Sequence, residues 1–309
     1  GGLVAFPTET VYGLGADALE ASAVGRIFEA KERPPTHPLI VHVASAREAA
    51  RLTTGWDSRA EALREAFWPG PLTLVVPRAR RVPEAVTGGL DTVGLRFPSH
   101  PVARALIEEA GVPVAAPSAN PHQGISPTRA SHVVRGLGAA VDYVVDGGDT
   151  QVGIESTVLS LAGDPPEILR PGGVSRRQLE AVLDRVVYSD SDAVAAALAR
   201  RAPGMGRRHY APQARVVLVA GERLRDGVPP AFRGTATGWM LLSADPPEAV
   251  PPERVRRMSQ DPEAYAADLY AAFHDLDGAD CDTIVAEAPP ATEPWRAVGD
   301  RLRRAAEPS

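Results

Sequence analysis

Cysteine, lysine and aromatic rings are all scarce in this chain. One cysteine in 309 residues, Cys281, excludes an internal disulfide framework and any metal site built on several thiolates. Aromatic side chains make up 5% of the residues, too few to interleave with a basic stripe and stack the bases of a single strand. No apolar run approaches the roughly 18 residues that a membrane-spanning helix needs. There is no G-x-x-x-x-G-K-[ST] phosphate loop, no H-E-x-x-H and no G-x-S-x-G elbow. The seven histidines are scattered, with none paired at a helical i, i+4 spacing, so no protein-built metal site is expected.

Of the 33 basic residues, lysine supplies one, Lys31. The chain is rich in Ala, Arg, Pro and Gly, and arginine stands wherever either cation would serve. The position that keeps an ammonium is therefore a candidate for a compact point charge that chemistry requires, although a lone solvated lysine at a helix end reads equally well. The net charge of −6 is evenly spread, which argues against a polynucleotide gripped through its phosphates. At 44% hydrophobic and 23% charged, the composition is that of a globular chain long enough for two domains. It opens on Gly1 with no basic stretch ahead of an apolar one, so no signal peptide is visible. The missing initiator Met reads as an N-terminally shortened chain, and the reducing cytoplasm is the expected location.

Short apolar runs alternate with helical patterns over the first 185 residues. Strands are expected at 3–6, 39–43, 72–76, 93–97, 112–116, 142–145, 157–161 and 167–170. Helices are expected at 17–29, 61–67, 101–109, 128–134 and 175–183. Several neighbouring strands are joined without a helix between them, which predicts a twisted mixed sheet with flanking helices. Residues 186–214 read as a linker. Its stretch RRAPGMGRRHYAPQAR holds five Arg and no acidic residue. From 215 to 309 the pattern predicts a smaller, Rossmann-like parallel α/β domain, with strands at 216–219, 239–242 and 283–286.

Four clusters carry polar residues at strand ends, where open α/β sheets place ligands. PTETVYGLG (Pro7 to Gly15) brings three hydroxyls and a carboxylate, with glycines that would let a ligand approach the backbone, though Thr and Gly also serve plain turns. KERPPTHPLIVH (Lys31 to His42) places Lys31 and Arg33 at the end of a helix, where cations are stabilising in any case. PSANPHQGIS (Pro117 to Ser126) puts Ser118 and Asn120 two apart in an extended segment, facing the same way. GIEST (Gly153 to Thr157) and ILRPGG (Ile168 to Gly173) bring Ser156 and Arg170 from adjacent strands.

With GLRFP at Gly94 to Pro98, these motifs in this order resemble the YrdC-type threonylcarbamoyl-AMP synthases over roughly Leu3 to Leu183. The linker GMGRRHYAP and the trailing α/β domain resemble the longer, two-domain form of that family. The resemblance implies an enzyme that joins L-threonine, bicarbonate and ATP into threonylcarbamoyl-AMP and pyrophosphate, for threonylcarbamoylation of the tRNA adenosine next to the anticodon. It places Thr10, His42, Arg96, the Ala116 backbone and Ser156 around threonine. Around ATP it places Lys31, Arg33, His37, Thr92, Ser118, Asn120, Ser126 and Arg170, with Tyr210 of the linker closing over the site. Lys31, Arg33 and Arg96 would carry most of the catalysis. Mg²⁺ would arrive on the ATP phosphates, and later tRNA-modification enzymes would be partners. His37 stands where the family often has Asn, which would make a phosphate contact there depend on pH. Two other readings remain: an RNA-binding module of the YrdC type without synthase activity, and a transferase that uses carbamoyl phosphate.

Overall fold

In a computed structural model, residues 1–189, 208–225, 232, 236–248 and 250–307 are described. They fall into two units, Gly1–His122 with Pro127–Gly206, and Gln123–Ser126 with Arg207–Ser309.

The first unit is built on one mixed sheet. Its strands are β1 (Val4–Pro7), β2 (Tyr12–Asp17), β3 (Ile40–His42), β4 (Leu72–Pro77), β5 (Thr92–Arg96), β6 (Val114–Ala115), β7 (Tyr143–Val144), β8 (Thr157–Ser160), β9 (Glu167–Arg170) and β10 (Val187–Tyr188). They run in the order β10-β9-β8-β4-β5-β3-β6-β2-β1-β7. Pairs β3–β5, β4–β8, β1–β7 and β9–β10 are parallel; β1–β2, β2–β6, β3–β6, β4–β5 and β8–β9 are antiparallel. The mixed sheet expected from the short connections is present. β10 adds a strand within the stretch read as the start of the linker. The linker's middle, 190–207, lies outside the described residues.

Alternation along each strand divides the side chains between two faces. Leu39, Val41, Leu72, Leu74, Val76, Val93 and Leu95 join the main core with Val24, Ile27 and Phe28 of helix Ala21–Lys31 and Leu63 of helix Ser58–Phe67. Each such fully buried side chain contributes about 1.5–3 kcal/mol. The opposite face carries Ile40, Val75, Val158 and Leu169 as a small separate cluster. At one end of the sheet, helix Pro101–Ala110 covers this face by packing Ala103 and Ile107 on Phe6, Val114 and Ala116. The middle strands keep their polar residues on this second face.

β2 was not anticipated. Tyr12–Asp17 pairs antiparallel with β1, so only Thr8–Val11 form the turn between them. YGLGAD gives little strand signal because glycine packs no side chain. A Cβ on Gly15 would lie 2.6 Å from the Phe6 ring and 2.8 Å from Val114, so this glycine serves close packing and not the approach of a ligand. The following helix starts at Ala21, capped by Glu20, which accepts from Ser22 N–H; Asp17 instead accepts from Leu19 N–H and closes the strand.

In the second unit, β11 (Arg215–Val219), β12 (Thr237–Leu241), β13 (Val255–Arg257) and β14 (Thr283–Glu287) run in the order β11-β14-β12-β13, all parallel. The parallel α/β expectation holds, with β13 added. Helices Pro262–Asp277 and Arg296–Ala306 belong to this unit. No helix among the described residues is long and apolar enough to cross a membrane.

Candidate active site

The guanidinium of Arg96 lies buried at the end of β5, directly opposite His42 in the β3–β5 register. Arg96 Nη2 donates to Glu9 Oε1 at 2.7 Å and to Thr10 Oγ1 at 2.9 Å. Thr8 and Thr10 share a hydroxyl hydrogen bond of 2.8 Å, and Thr8 Oγ1 donates to the Val11 carbonyl at 2.7 Å. These bonds orient the chain: Thr10 donates to Thr8 and accepts from Arg96. The other oxygen of Glu9 accepts from Ser99 N–H at 3.2 Å. Two buried nitrogens here, Arg96 Nε and His42 Nδ1, have no hydrogen-bond partner among the described residues. Burial, then the neighbouring Arg96, push the His42 pKa down to about 3, so the ring is neutral. A donor left without a partner at a fixed guanidinium beside a neutral imidazole suits a small molecule that brings its own carboxylate and hydroxyl.

Ser156 and Arg170 meet as the spacing of their strands implied. Arg170 donates to the Ser156 carbonyl from Nε at 3.2 Å and from Nη2 at 2.9 Å, and to Ser156 Oγ at 3.2 Å. Ser156 Oγ also lies 2.8 Å from Thr73 Oγ1 on β4. The contact depends on Gly172: a Cβ there would stand 2.3 to 2.5 Å from the backbone of Glu155, Ser156 and Thr157. Val152 N–H donates to the Glu9 carbonyl at 2.8 Å, which brings the loop ahead of GIEST to the turn that carries Thr10.

Helix Ala21–Lys31 ends by turning left-handed at Glu32, φ 52°. The N–H of Glu32 bonds back to Glu29 O, and that of Arg33 to Phe28 O at 2.9 Å. Glu32 is thereby turned to solvent while Lys31 and Arg33 on either side are buried. A left-handed non-glycine costs about 1–3 kcal/mol, a strain that the buried cations on both sides hold in place. The ammonium of Lys31 donates to the Ser118 carbonyl at 2.5 Å and to the Asn120 carbonyl. The groups that Ser118 and Asn120 present to Lys31 are backbone oxygens, and the Asn120 side chain donates to the Pro121 carbonyl at 2.8 Å. Arg33 Nη2 donates to Pro38 O at 2.9 Å. Burial, then Arg33, lower the Lys31 pKa well below its ordinary value.

The remaining expected residues fall as follows. Thr92 lines a small pocket on the second face with Ile40, Thr73, Val75, Gly94 and Val158. Ala116 follows β6, and its N–H is already bonded to Ile40 O at 2.9 Å, so its carbonyl is the backbone group left to face a ligand. The ring of His37 lies 5.4 Å from that of His122. Ser126 and Tyr210 belong to the second unit. There Ser126 O lies 3.2 Å from His274 Nε2, and Ala211 N–H donates to Gln123 O at 3.0 Å. Tyr210 is buried at φ 61°, its ring 5.8 Å from that of Tyr270 and 5.0 Å from the guanidinium carbon of Arg301. Sequence reasoning missed Glu9, Thr73 and His122 as partners. Glu9 was legible as the only carboxylate in its motif; Thr73 lies inside an apolar strand and gave no signal. Among the described residues, no group of three or more His, Cys, Asp or Glu side chains could hold a metal.

Residues 1–172 match a family model described as telomere recombination, and residues 174–307 match one described as the threonylcarbamoyl-AMP synthase C-terminal domain. The chain is 42% identical to a threonylcarbamoyl-AMP synthase of Pyrococcus abyssi, over 99% of this chain and 90% of the relative. It is 41% identical to one of Bacillus subtilis, over 98% and 89%. The crystal structure of P. abyssi Sua5 complexed with L-threonine superposes with a TM-score of 0.90 at 40% identity, covering 99% of this chain and 90% of that one. The motif order, the sheet they line and the matched C-terminal domain agree, and the chain belongs to the threonylcarbamoyl-AMP synthase family in its two-domain form.

Proposed function

We propose that the first unit makes threonylcarbamoyl-AMP from L-threonine, bicarbonate and ATP, with Arg96 as the anchor of threonine and the Lys31–Arg33 turn as the anchor of the triphosphate. The observation that carries the reading is the presence of two separate anion-seeking groups in the first unit. One is a single fixed guanidinium with a bare Nε beside neutral His42; the other is a cluster of buried cations beside the Ser118–Asn120 segment. The threonine carboxylate would pair with Arg96, its hydroxyl would reach Thr10, His42 or Ser156, and its amine would meet the Ala116 carbonyl. Thr92, Ser118, Asn120 and Arg170 would border the nucleotide.

The amine adds to carbon dioxide or bicarbonate to give a carbamate, releasing water in the second case. A carbamate oxygen then attacks the α-phosphorus, the bond to the β-phosphate oxygen breaks, and pyrophosphate leaves. No nucleophile from the protein is required, so the side chains act by orientation and by stabilising charge on the phosphates. Magnesium enters as the counter-ion of the triphosphate. Lys31 and Arg33 do not ligate it, and its ligands would be phosphate oxygens and water. The product is a reactive mixed anhydride, and the reaction that consumes it would transfer the threonylcarbamoyl group to a tRNA adenosine.

Pyrophosphate release from ATP and Mg²⁺, with threonine and bicarbonate each present or omitted, tests the reading. Release should need both, and serine and 2-aminobutyrate should be poorer substrates. A site that hydrogen-bonds a hydroxyl can reject the analogue lacking it by as much as about 10⁴–10⁵. Release that ignores threonine would refute the assignment.

A further inference from the structure

Thr73 stands at the middle of a polar row that crosses the second face of the first unit's sheet. Leu74 pairs with Leu95 and Val75 with Gly94, so Thr73 lies opposite Arg96 one step further along the same ladder. On its far side Arg96 lies opposite His42. On β8, Thr73 pairs with Val158, and the hydroxyl of Ser156, just ahead of that strand, is 2.8 Å from Thr73 Oγ1. The row thus runs from His42 on β3 through Arg96 and Thr73 to Ser156, where Arg170 of β9 closes it. We propose that Thr73 is a further substrate-contacting residue, whose hydroxyl donates to an oxygen of the carboxyl group that bicarbonate contributes. The inference rests on the function proposed above and adds a residue to it.

The argument is a count of hydroxyl hydrogens. Each hydroxyl has one hydrogen to give and two lone pairs that receive. The Thr73–Ser156 bond consumes one of the pair's two hydrogens, whichever residue donates it. Arg170 Nη2 can only donate, so at 3.2 Å it occupies a lone pair of Ser156 and takes up no hydrogen. Among the described residues the pair has no other acceptor, and both side chains are fully buried. One hydrogen is therefore left over where a donor without a partner is costly. Ser156 spends its oxygen on Arg170, whereas Thr73 opens onto the small pocket it shares with Ile40, Val75, Gly94 and Val158. The hydrogen that faces the pocket is thus assigned to Thr73, with Ser156 donating to it. Apart from Thr92, the rest of the lining is apolar. Gly94 keeps the space beside Thr73 open, since a Cβ there would stand 3.3 Å from the Thr73 methyl carbon. An acceptor is wanted, then, between the guanidinium assigned to threonine and the arginine assigned to the nucleotide. The proposed chemistry puts one group there: the carboxyl that joins the amine to the α-phosphorus. In the carbamate both of its oxygens only accept. Donation from Thr73 to one holds it as the carbonyl oxygen, and the other is left to attack phosphorus. Thr73 keeps its proton throughout and supplies orientation.

The test measures initial rates of pyrophosphate release by the full chain, with ATP, Mg²⁺ and threonine saturating and bicarbonate varied in degassed buffer. Calorimetric titrations with threonine alone and with Mg²⁺ and ATP alone are run beside it. Thr73→Val keeps the branched shape that suits β4 and removes the hydroxyl; Thr73→Ser keeps the hydroxyl. Thr73→Val should lower kcat/KM for bicarbonate by roughly ten- to a hundredfold, the scale of a hydrogen bond to a charged group. Its affinities for threonine and for ATP should stay near wild type, and Thr73→Ser should recover most of the loss. Ser156→Ala, which leaves Thr73 its hydrogen, should lose less on this measure than Thr73→Val. Thr73→Ala is a second hydroxyl-free variant that serves if valine does not fold. A hydroxyl-free variant with the wild-type bicarbonate dependence, a loss that Thr73→Ser shares, or a larger loss in Ser156→Ala would overturn the inference and leave the proposed function standing. Pyrophosphate release by the wild type that ignores bicarbonate would remove both.

Discussion

Arg96 is held by Glu9 through one terminal nitrogen, and the Nε of the same guanidinium has no partner among the described residues. The ion pair therefore orients the group without exhausting it. Lysine at this position keeps the charge but loses the planar fork. Arg96→Lys should raise the threonine KM while leaving the ATP KM near wild type. The loss of a hydrogen bond to a charged group, about 1.5–3 kcal/mol, sets the change at roughly ten- to a hundredfold. Arg96→Ala should also destabilise the protein by about 3–5 kcal/mol, because it strands the Glu9 carboxylate in a buried site. Steady-state kinetics and thermal melts separate the two effects; an Arg96→Lys enzyme with an ordinary threonine KM would contradict the assignment.

Ser156 and Arg170 were expected around different substrates, yet Arg170 grips Ser156 by both its carbonyl and its hydroxyl. Substitutions in one hydrogen-bonded network do not add. In a cycle of Ser156→Ala, Arg170→Ala and the pair, the losses in kcat/KM should be non-additive by about 0.5–3 kcal/mol. Strict additivity would mean that the two residues act separately.

Lys31 is buried with no carboxylate paired to it among the described residues, and Arg33 lowers its pKa further. An anion that completes this cluster should stabilise the fold. Pyrophosphate should raise the melting temperature of the wild type, with about 2.7 kcal/mol of stabilisation at a hundred times its Kd. The gain should shrink in Lys31→Gln and at high salt. Differential scanning calorimetry checks it, and a wild-type melt indifferent to pyrophosphate would count against the triphosphate assignment.

Glu287 gives the second unit a pH dependence of its own. Its carboxylate accepts from the N–H groups of Leu242, Ser243 and Ala244 and from the Ser243 hydroxyl. Burial pushes its pKa up, but the Ala244 N–H, the Ser243 hydroxyl and the other donors outweigh it, and the net direction is down. Stability from this group is therefore present above the unfolded value of about 4.3 and lost as pH falls through the lower folded value. Glu287→Gln should lower stability at pH 7 by about 2 kcal/mol or more and flatten that acid limb. Chemical denaturation at pH 7, 5 and 3 measures both.

Much of this was legible in the chain because the site residues sit on strongly patterned elements. Ile40 and His42 fall on the face opposite Leu39 and Val41 by alternation alone, and the short connections announced a mixed sheet. The misses have physical causes. β2 is masked by glycines kept for close packing against Phe6. Glu9 was read as one polar group of a loop, since the sequence does not say that Arg96 lies opposite. Thr73 hides in an apolar strand, and His122 gains meaning only once the Lys31 backbone draws it toward His37.

The four residues Gln123–Ser126 lie inside the first unit's sequence but are grouped with the second. The backbone thus crosses from one unit to the other at three places in the sequence instead of one. Cutting the chain at residue 200 would remove Ala211 and His274, which meet the Gln123 and Ser126 carbonyls. Such a truncation strips partners from the loop Gln123–Ser126 as well as removing a domain.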